Sequence, residues 1–198
     1  MLKLYTAGLS GNAHKVRLAL NLMKIPYEEV AMSFEDGSLK GADFLAKNPR
    51  GQVPAIEDDG EPIWDSAAIL VYLGRKHGGE SWLPTDPAEM AHVVEWLTVA
   101  GGDHHQGLAR CRFLKKRGLS EGYEQALVAA QKCLDMMENH LKGRDWLASR
   151  HPTIAEPACF VYVDLADEGE IDVSVHPAVT AWMDRVRALP GFVKAPRA

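Results

Sequence analysis

Cysteine is scarce and badly placed for chemistry. Cys111, Cys133 and Cys159 are odd in number, lie far apart and form no Cys-x-x-Cys pair. This excludes a disulfide framework and a thioredoxin-type dithiol, and leaves buried, reduced thiols as the reading. Long apolar runs are missing as well, so no segment reaches the length needed to span a membrane. The amino terminus, Met1-Leu2-Lys3-Leu4-Tyr5, lacks the apolar core of a signal peptide, and a cytoplasmic location is the expectation. Basic blocks are few: 22 Lys and Arg face 27 Asp and Glu, for a net charge of −5. Nucleic acid and membrane are therefore not expected partners, and the densest cationic run, Lys115-Lys116-Arg117, reads as a solvated helix end. Metal-ligand spacing is absent too, because His104 and His105 are neighbours, pointing about 100° apart on a helix, with no His or Cys four residues on. No metal site is expected.

What is present is an ordinary globular composition, 46% apolar and 25% charged over 198 residues. That suffices for one large domain or two modest ones. Residues 2–5 read as a strand, and Val16, Ala19, Leu20 and Met23 repeat at helical spacing until Ile25-Pro26 ends the helix. A second strand follows at 27–31, a short helix at 43–47, a hairpin of 53–57 with 62–64, and a helix over 66–76. The order is βαβαββα. Residues 79–87, with Gly78-Gly79 and Pro84-Thr85-Asp86-Pro87, are rich in turn signals and mark a linker. Beyond them the period lengthens, and helical segments are expected at 88–114, 121–141, 153–168 and 177–189. Gly101-Gly102 inside the first of these predicts a bend or a close contact. Thr153-Ile154-Ala155-Glu156 reads as a capping box, with Pro157 removing an N–H from that first turn.

The densest information lies in Asn48-Pro49-Arg50-Gly51-Gln52-Val53-Pro54 and Trp64-Asp65-Ser66-Ala67-Ala68-Ile69. Pro54 cannot donate to a strand ladder, so it belongs at a strand's start or edge, where Val53 can offer its N–H and C=O to an extended guest. Asp58-Asp59-Gly60 is hairpin-turn chemistry. After the hairpin, Asp65 or Ser66 makes a good N-cap, and the free N–H groups and positive end of that helix suit a carboxylate. Ser10, at the turn between the first strand and the first helix, stands beside another set of unpaired N–H groups. Taken alone it reads as an N-cap.

These two stretches resemble the glutathione-site signature of the glutathione S-transferase superfamily. Leu2-Lys3-Leu4-Tyr5, Ser10 to Leu20, Trp82-Leu83-Pro84, Thr153 to Glu156 and Leu189-Pro190-Gly191-Phe192 fall in the family's order, so the resemblance covers nearly the whole chain. It is greatest to bacterial cytosolic members with a serine near the amino terminus. The resemblance implies an α/β plus all-α fold. Residues 1–78 would form a thioredoxin-like glutathione-binding domain, 79–87 a linker, and 88–198 a helical bundle that shapes the second-substrate pocket. It also implies a homodimer that uses glutathione as co-substrate in the detoxifying transfer of its thiolate to a small, largely apolar electrophile.

The family's roles carry over residue by residue. Ser10 would stabilise the glutathione thiolate, with Asn12 its rival, while Tyr5 shares a strand face with Lys3 and reads as packing. Val53 would pair with the cysteinyl unit, and Pro54 would be cis. Ser66 would hold the γ-glutamyl carboxylate and Asp65, where the family more often has Glu, the ammonium. Gln52 and Lys40 would reach the glycyl carboxylate. Leu9, His104, His105 and Arg112, with Arg110 and Phe192 nearby, would border the second pocket. Relatives that reduce disulfides or peroxides, isomerise or dehalogenate keep the same site, so those reactions stay open, while other members keep only the fold as binding modules, a reading that intact Ser10, Val53-Pro54 and Asp65-Ser66 speak against.

Overall fold

The structure, a computed structural model, describes residues 1–197. The chain opens with β1 (Leu2–Thr6), α1 (Gly11–Leu22) and β2 (Tyr27–Ala31). A 3-10 turn (Ser38–Lys40) and the one-turn helix α2 (Ala42–Leu45) lead to the hairpin β3 (Ala55–Asp58) and β4 (Glu61–Trp64), then α3 (Ser66–Leu73). The strands form one sheet in the order β2-β1-β3-β4. β1 runs parallel to β2 and antiparallel to β3, giving the mixed sheet of the thioredoxin-like arrangement. Asp59 and Gly60, with φ of 53° and 84°, make the hairpin turn as an Asp-Gly pair should.

Alternation along β1 divides the two faces of the sheet. Leu2 and Leu4 join Val16 and Leu20 of α1 and Ile69 and Leu73 of α3 in one cluster. Tyr5 falls on the opposite face with Phe44 of α2, Val53 and Ala55.

The second half is helical: α4 (Gly79–Trp82), α5 (Pro87–Gly101), α6 (Arg110–Lys116), α7 (Tyr123–Leu141), α8 (Ala155–Asp164) and α9 (Pro177–Arg187). Asp86 starts α5 by accepting the N–H groups of Ala88 and Glu89, each at 3.0 Å. The helix expected over 88–114 is two helices. Gly102 leaves helical geometry at φ −100° and ψ −83°, and a wider π turn (His105–Ala109) carries the chain into α6. Gly107 is required in that turn, because a Cβ there would stand 2.6 Å from the Ala130 nitrogen of α7. The helix expected over 66–76 likewise ends at Leu73 and widens into a π turn (Gly74–Gly78). Strand β3 starts at Ala55 rather than at residue 53, since Pro54 cannot enter the ladder.

The capping box forms and is fully buried. Glu156 accepts the Thr153 N–H at 2.6 Å and the Thr153 hydroxyl at 3.1 Å with one oxygen, and the Leu147 N–H at 2.9 Å with the other. One of the three apolar clusters runs through both halves: Leu18, Leu22 and Leu70 pack with Trp96, Phe160 and Trp182. The cleft between the halves therefore has fixed walls.

Candidate functional site

The turn after β1 delivers Ser10 to the head of α1 in extended geometry, φ −66° and ψ 111°, with its Oγ accepting the Ala13 N–H at 3.2 Å. Capping occupies a lone pair. The hydroxyl proton stays free to donate. Asn12, on the first turn of the same helix, is half-buried beside it.

The approach to β3 is held by Asn48, which donates to the Gln52 carbonyl at 2.6 Å and accepts the Arg50 N–H at 3.0 Å. The Val53–Pro54 peptide is cis. Because β3 begins beyond it, Val53 keeps an N–H and a C=O without a protein partner among the described residues. After the hairpin, Asp65 adopts φ 73° and caps α3 by accepting the Ala67 N–H at 2.9 Å, while Arg50 Nη1 lies 3.5 Å from its other oxygen. Ser66 opens α3 with its hydroxyl uncommitted among the described residues.

These pieces converge on one cavity of about 400 Å³, lined by Ser10, Asn12, Gln52, Val53, Pro54, Asp65 and Ser66. That volume suits a small peptide. Lys15 also lines it and is 3% exposed. Its ammonium lies 4.9 Å from the Tyr162 ring centre and 3.5 Å from the Ala100 carbonyl, and burial pushes its pKa down to about 8. The arrangement combines an open strand edge, two helix starts and a buried cation. Such a set can hold an extended, zwitterionic peptide and stabilise an anion near Ser10.

A second cavity of about 490 Å³ adjoins the first and shares Ser10, Phe34 and His105 with it. Leu9, Arg110 and Arg112 line it, and so do Lys116 and Arg117, which lie exposed at the end of α6 as a solvated helix end should.

Two assignments, His104 and Phe192, are corrected. His104 is fully buried, lines neither cavity, sets Nε2 3.3 Å from the Met137 sulfur, and is pushed by burial down to about pKa 3. Of two adjacent helical histidines only one can face the cleft, and it is His105. Lys40 is exposed, with its ammonium 3.5 Å from the carbonyl of Arg50, a residue that lines the first cavity. Phe192 packs edge-on against Phe160 in the helical core, with ring centres 5.5 Å apart. Tyr5 is buried against Phe44 and points its hydroxyl at Glu57.

Lys15, Arg50 and Phe34 line the first cavity without having been singled out. Lys15 follows Gly11 by four residues on one helix face, the signal that places it one turn below the opening at Ser10. All three cysteines are buried, and burial raises their thiols, Cys133 to about 12. None can serve as a nucleophile.

Comparison with known proteins agrees with this architecture. Residues 9–76 match the family model for the glutathione S-transferase N-terminal domain, and residues 103–190 match that for the C-terminal domain. Glutathione S-transferase 3 of Zea mays is 33% identical over 98% of this chain and 92% of its own length. Disulfide-bond oxidoreductase YfcG of Escherichia coli is 28% identical over 98% and 94%. A glutathione S-transferase structure from Pseudomonas fluorescens superposes with a TM-score of 0.91 at 35% identity, covering 99% of both chains. With both of its halves matched in order and the sheet and helical units in their expected places, this chain belongs to the glutathione S-transferase family.

Proposed function

We propose that this protein is a cytoplasmic, homodimeric glutathione transferase that stabilises the glutathione thiolate at Ser10 and directs it at a small electrophile. The observation that carries the reading is one cavity whose lining joins Ser10, the Val53 edge and the Asp65-Ser66 helix start. Glutathione is an extended tripeptide with a zwitterionic head, and these groups suit its parts in sequence. The γ-glutamyl carboxylate meets Ser66 and the α3 amino end, the cysteinyl backbone pairs with Val53, and Gln52 lies toward the glycyl end. The sulfur then lies at the opening of α1.

Magnitudes support that role for Ser10. Lowering a thiol of pKa about 8.5 by two units requires about 2.7 kcal/mol of preference for the thiolate. A hydrogen bond to a charged acceptor contributes about 1.5–3 kcal/mol, and a helix start adds about 0.3–1 kcal/mol. Asn12 is the alternative donor on the same turn.

The likeness to a disulfide-bond oxidoreductase favours a second reading on the same site. Because the chain's own thiols are buried, both electrons would come from two glutathione molecules. These would leave as glutathione disulfide while the substrate disulfide became two thiols.

Calorimetric titration with glutathione, paired with ultraviolet detection of bound thiolate, tests the site. Ser66→Ala is expected to weaken binding by about tenfold. Ser10→Ala is expected to leave affinity nearly unchanged, abolish the thiolate signal at neutral pH and lower the turnover rate by about ten- to a hundredfold. Failure of the wild-type protein to bind glutathione overturns both readings, and an intact thiolate signal in Ser10→Ala moves the role to Asn12.

A further inference from the structure

We propose that the second cavity selects electrophiles carrying an anionic group, most simply a carboxylate, rather than wholly apolar ones. The inference deepens the transferase reading and rests on it only for the electrophile, not for the charge preference.

Four basic side chains, Arg110, Arg112, Lys116 and Arg117, line this pocket, and no carboxylate does among the described residues. Glu168 stands behind it and is shared, 2.6 Å from Arg112 Nε and 3.2 Å from Lys116 Nζ. One negative charge thus answers two positive ones. Arg110 and Arg117 flank the Phe113 ring, at 5.5 and 5.6 Å from its centre, and form no ion pair among the described residues.

Arg112 supplies the most specific feature. It is 7% exposed, donates from Nη1 to the Leu9 carbonyl at 3.1 Å, and keeps Nη2 buried without a partner. A buried guanidinium with one uncommitted nitrogen favours an acceptor oxygen, such as a single oxygen of a carboxylate. The large apolar and aromatic walls are Leu9, Phe34, Phe113 and Tyr162, which suit an aromatic or aliphatic body. Because Ser10 borders both cavities, an electrophile anchored by its acid presents its other end to the sulfur. Arg110, Lys116 and Arg117 are exposed, so their part is attraction and orientation that salt screens.

A matched pair of probes tests this: 4-chloro-3,5-dinitrobenzoate and its methyl ester. In either case the glutathione thiolate, its proton already lost to solvent, gives a pair to the chlorine-bearing carbon. The C–S bond forms, the C–Cl bond breaks, and chloride leaves with its pair. With each rate divided by the uncatalysed one, kcat/KM for the acid is expected to exceed that for the ester by about tenfold. The preference is expected to shrink severalfold at high salt and to collapse in the Arg110→Gln/Arg117→Gln double variant, whose altered side chains are exposed.

Calorimetry with the two finished glutathione conjugates gives a readout that needs no turnover. Tighter binding of the carboxylate conjugate, lost in the double variant, supports the proposal even where neither probe is turned over; that result would count against the transferase reading alone. Equal binding of the two conjugates, or a preference untouched by the double variant, overturns the proposal while leaving turnover of the ester to support the transferase.

Discussion

Lys15 holds its ammonium out of water in the wall of the first cavity. In the sequence it is a charged position in α1, and charged helix residues are mostly solvated. Packing of α1 against α8 puts it under the Tyr162 ring instead, 3% exposed, with a pKa near 8 in place of the ordinary 10.5. Burial disfavours the charged form in the folded state. Between about pH 8 and 10.5 the unfolded chain binds the extra proton, so this group makes stability rise with pH across that window. Below pH 8 both states are protonated, and the cost is constant at about 3 kcal/mol. Lys15→Met removes that cost and forfeits a cation–π contact of about 1–2 kcal/mol, for an expected net gain of about 1–2 kcal/mol at pH 7. Urea unfolding of both proteins at pH 7 and pH 10 measures it. The gain should be largest at pH 7 and shrink toward pH 10, whereas a destabilised variant or an unchanged pH slope contradicts the account. The turn at Ser10, the proline-bounded edge at Val53 and the helix start at Ser66 were legible without the fold because each is a local motif; Lys15 depends on a helix more than a hundred residues away, and no local pattern encodes that.

At the scale of elements, local chemistry carried most of the way. The Asp-Gly turn of the β3–β4 hairpin, the Pro26 stop and the Thr153–Glu156 box all act within a few residues, and the sequence pattern placed them. The helix breaks were only half legible. Gly101-Gly102 announced a bend, but the π turn that follows depends on a glycine at 107, where a Cβ would stand 2.6 Å from the Ala130 nitrogen, a contact between the lead-in to α6 and α7. Glu156 shows a local motif with a distant consequence. Its two oxygens take three donors, tying the head of α8 to Leu147 in the segment that follows α7. Glu156→Gln replaces an acceptor oxygen by an NH₂ group and sets donor against donor in a site of 0% exposure. The expected loss is about 1–3 kcal/mol, read as a lower urea midpoint, with glutathione affinity unchanged because Glu156 lines neither cavity. An equally stable variant, or one that loses binding while folded, would show that the box is not simply a folding device.

For the whole molecule, the parallel β1–β2 pair and the antiparallel β3–β4 hairpin agree with the βαβαββα pattern, through the α1 crossover and a tight turn, while the antiparallel β1–β3 pairing that joins them is not given by it. The position of the helical half did not follow from the pattern. It is set by the shared core of Leu18, Leu70, Trp96 and Phe160, which fixes the cleft that Ser10 opens into. Among the large apolar side chains left outside this core, Trp64 of β4, Val71 of α3 and Val94 of α5 are 38%, 37% and 45% exposed, on elements that border the first cavity. Large apolar side chains on those elements suit the isologous contact of a two-fold dimer, where a stable interface covers about 1,600 Å². Sedimentation at micromolar concentration should therefore give twice the 21.8 kDa chain mass. Val94→Arg places an unpaired charge in that contact, at a cost of about 3–5 kcal/mol per interface, and should shift the population to folded monomers. Because Asp65 immediately follows Trp64 on the same border, glutathione affinity should fall with the dimer. A wild-type protein that sediments as a monomer, or a Val94→Arg variant that stays dimeric, would place the two-fold contact on another face or remove it altogether.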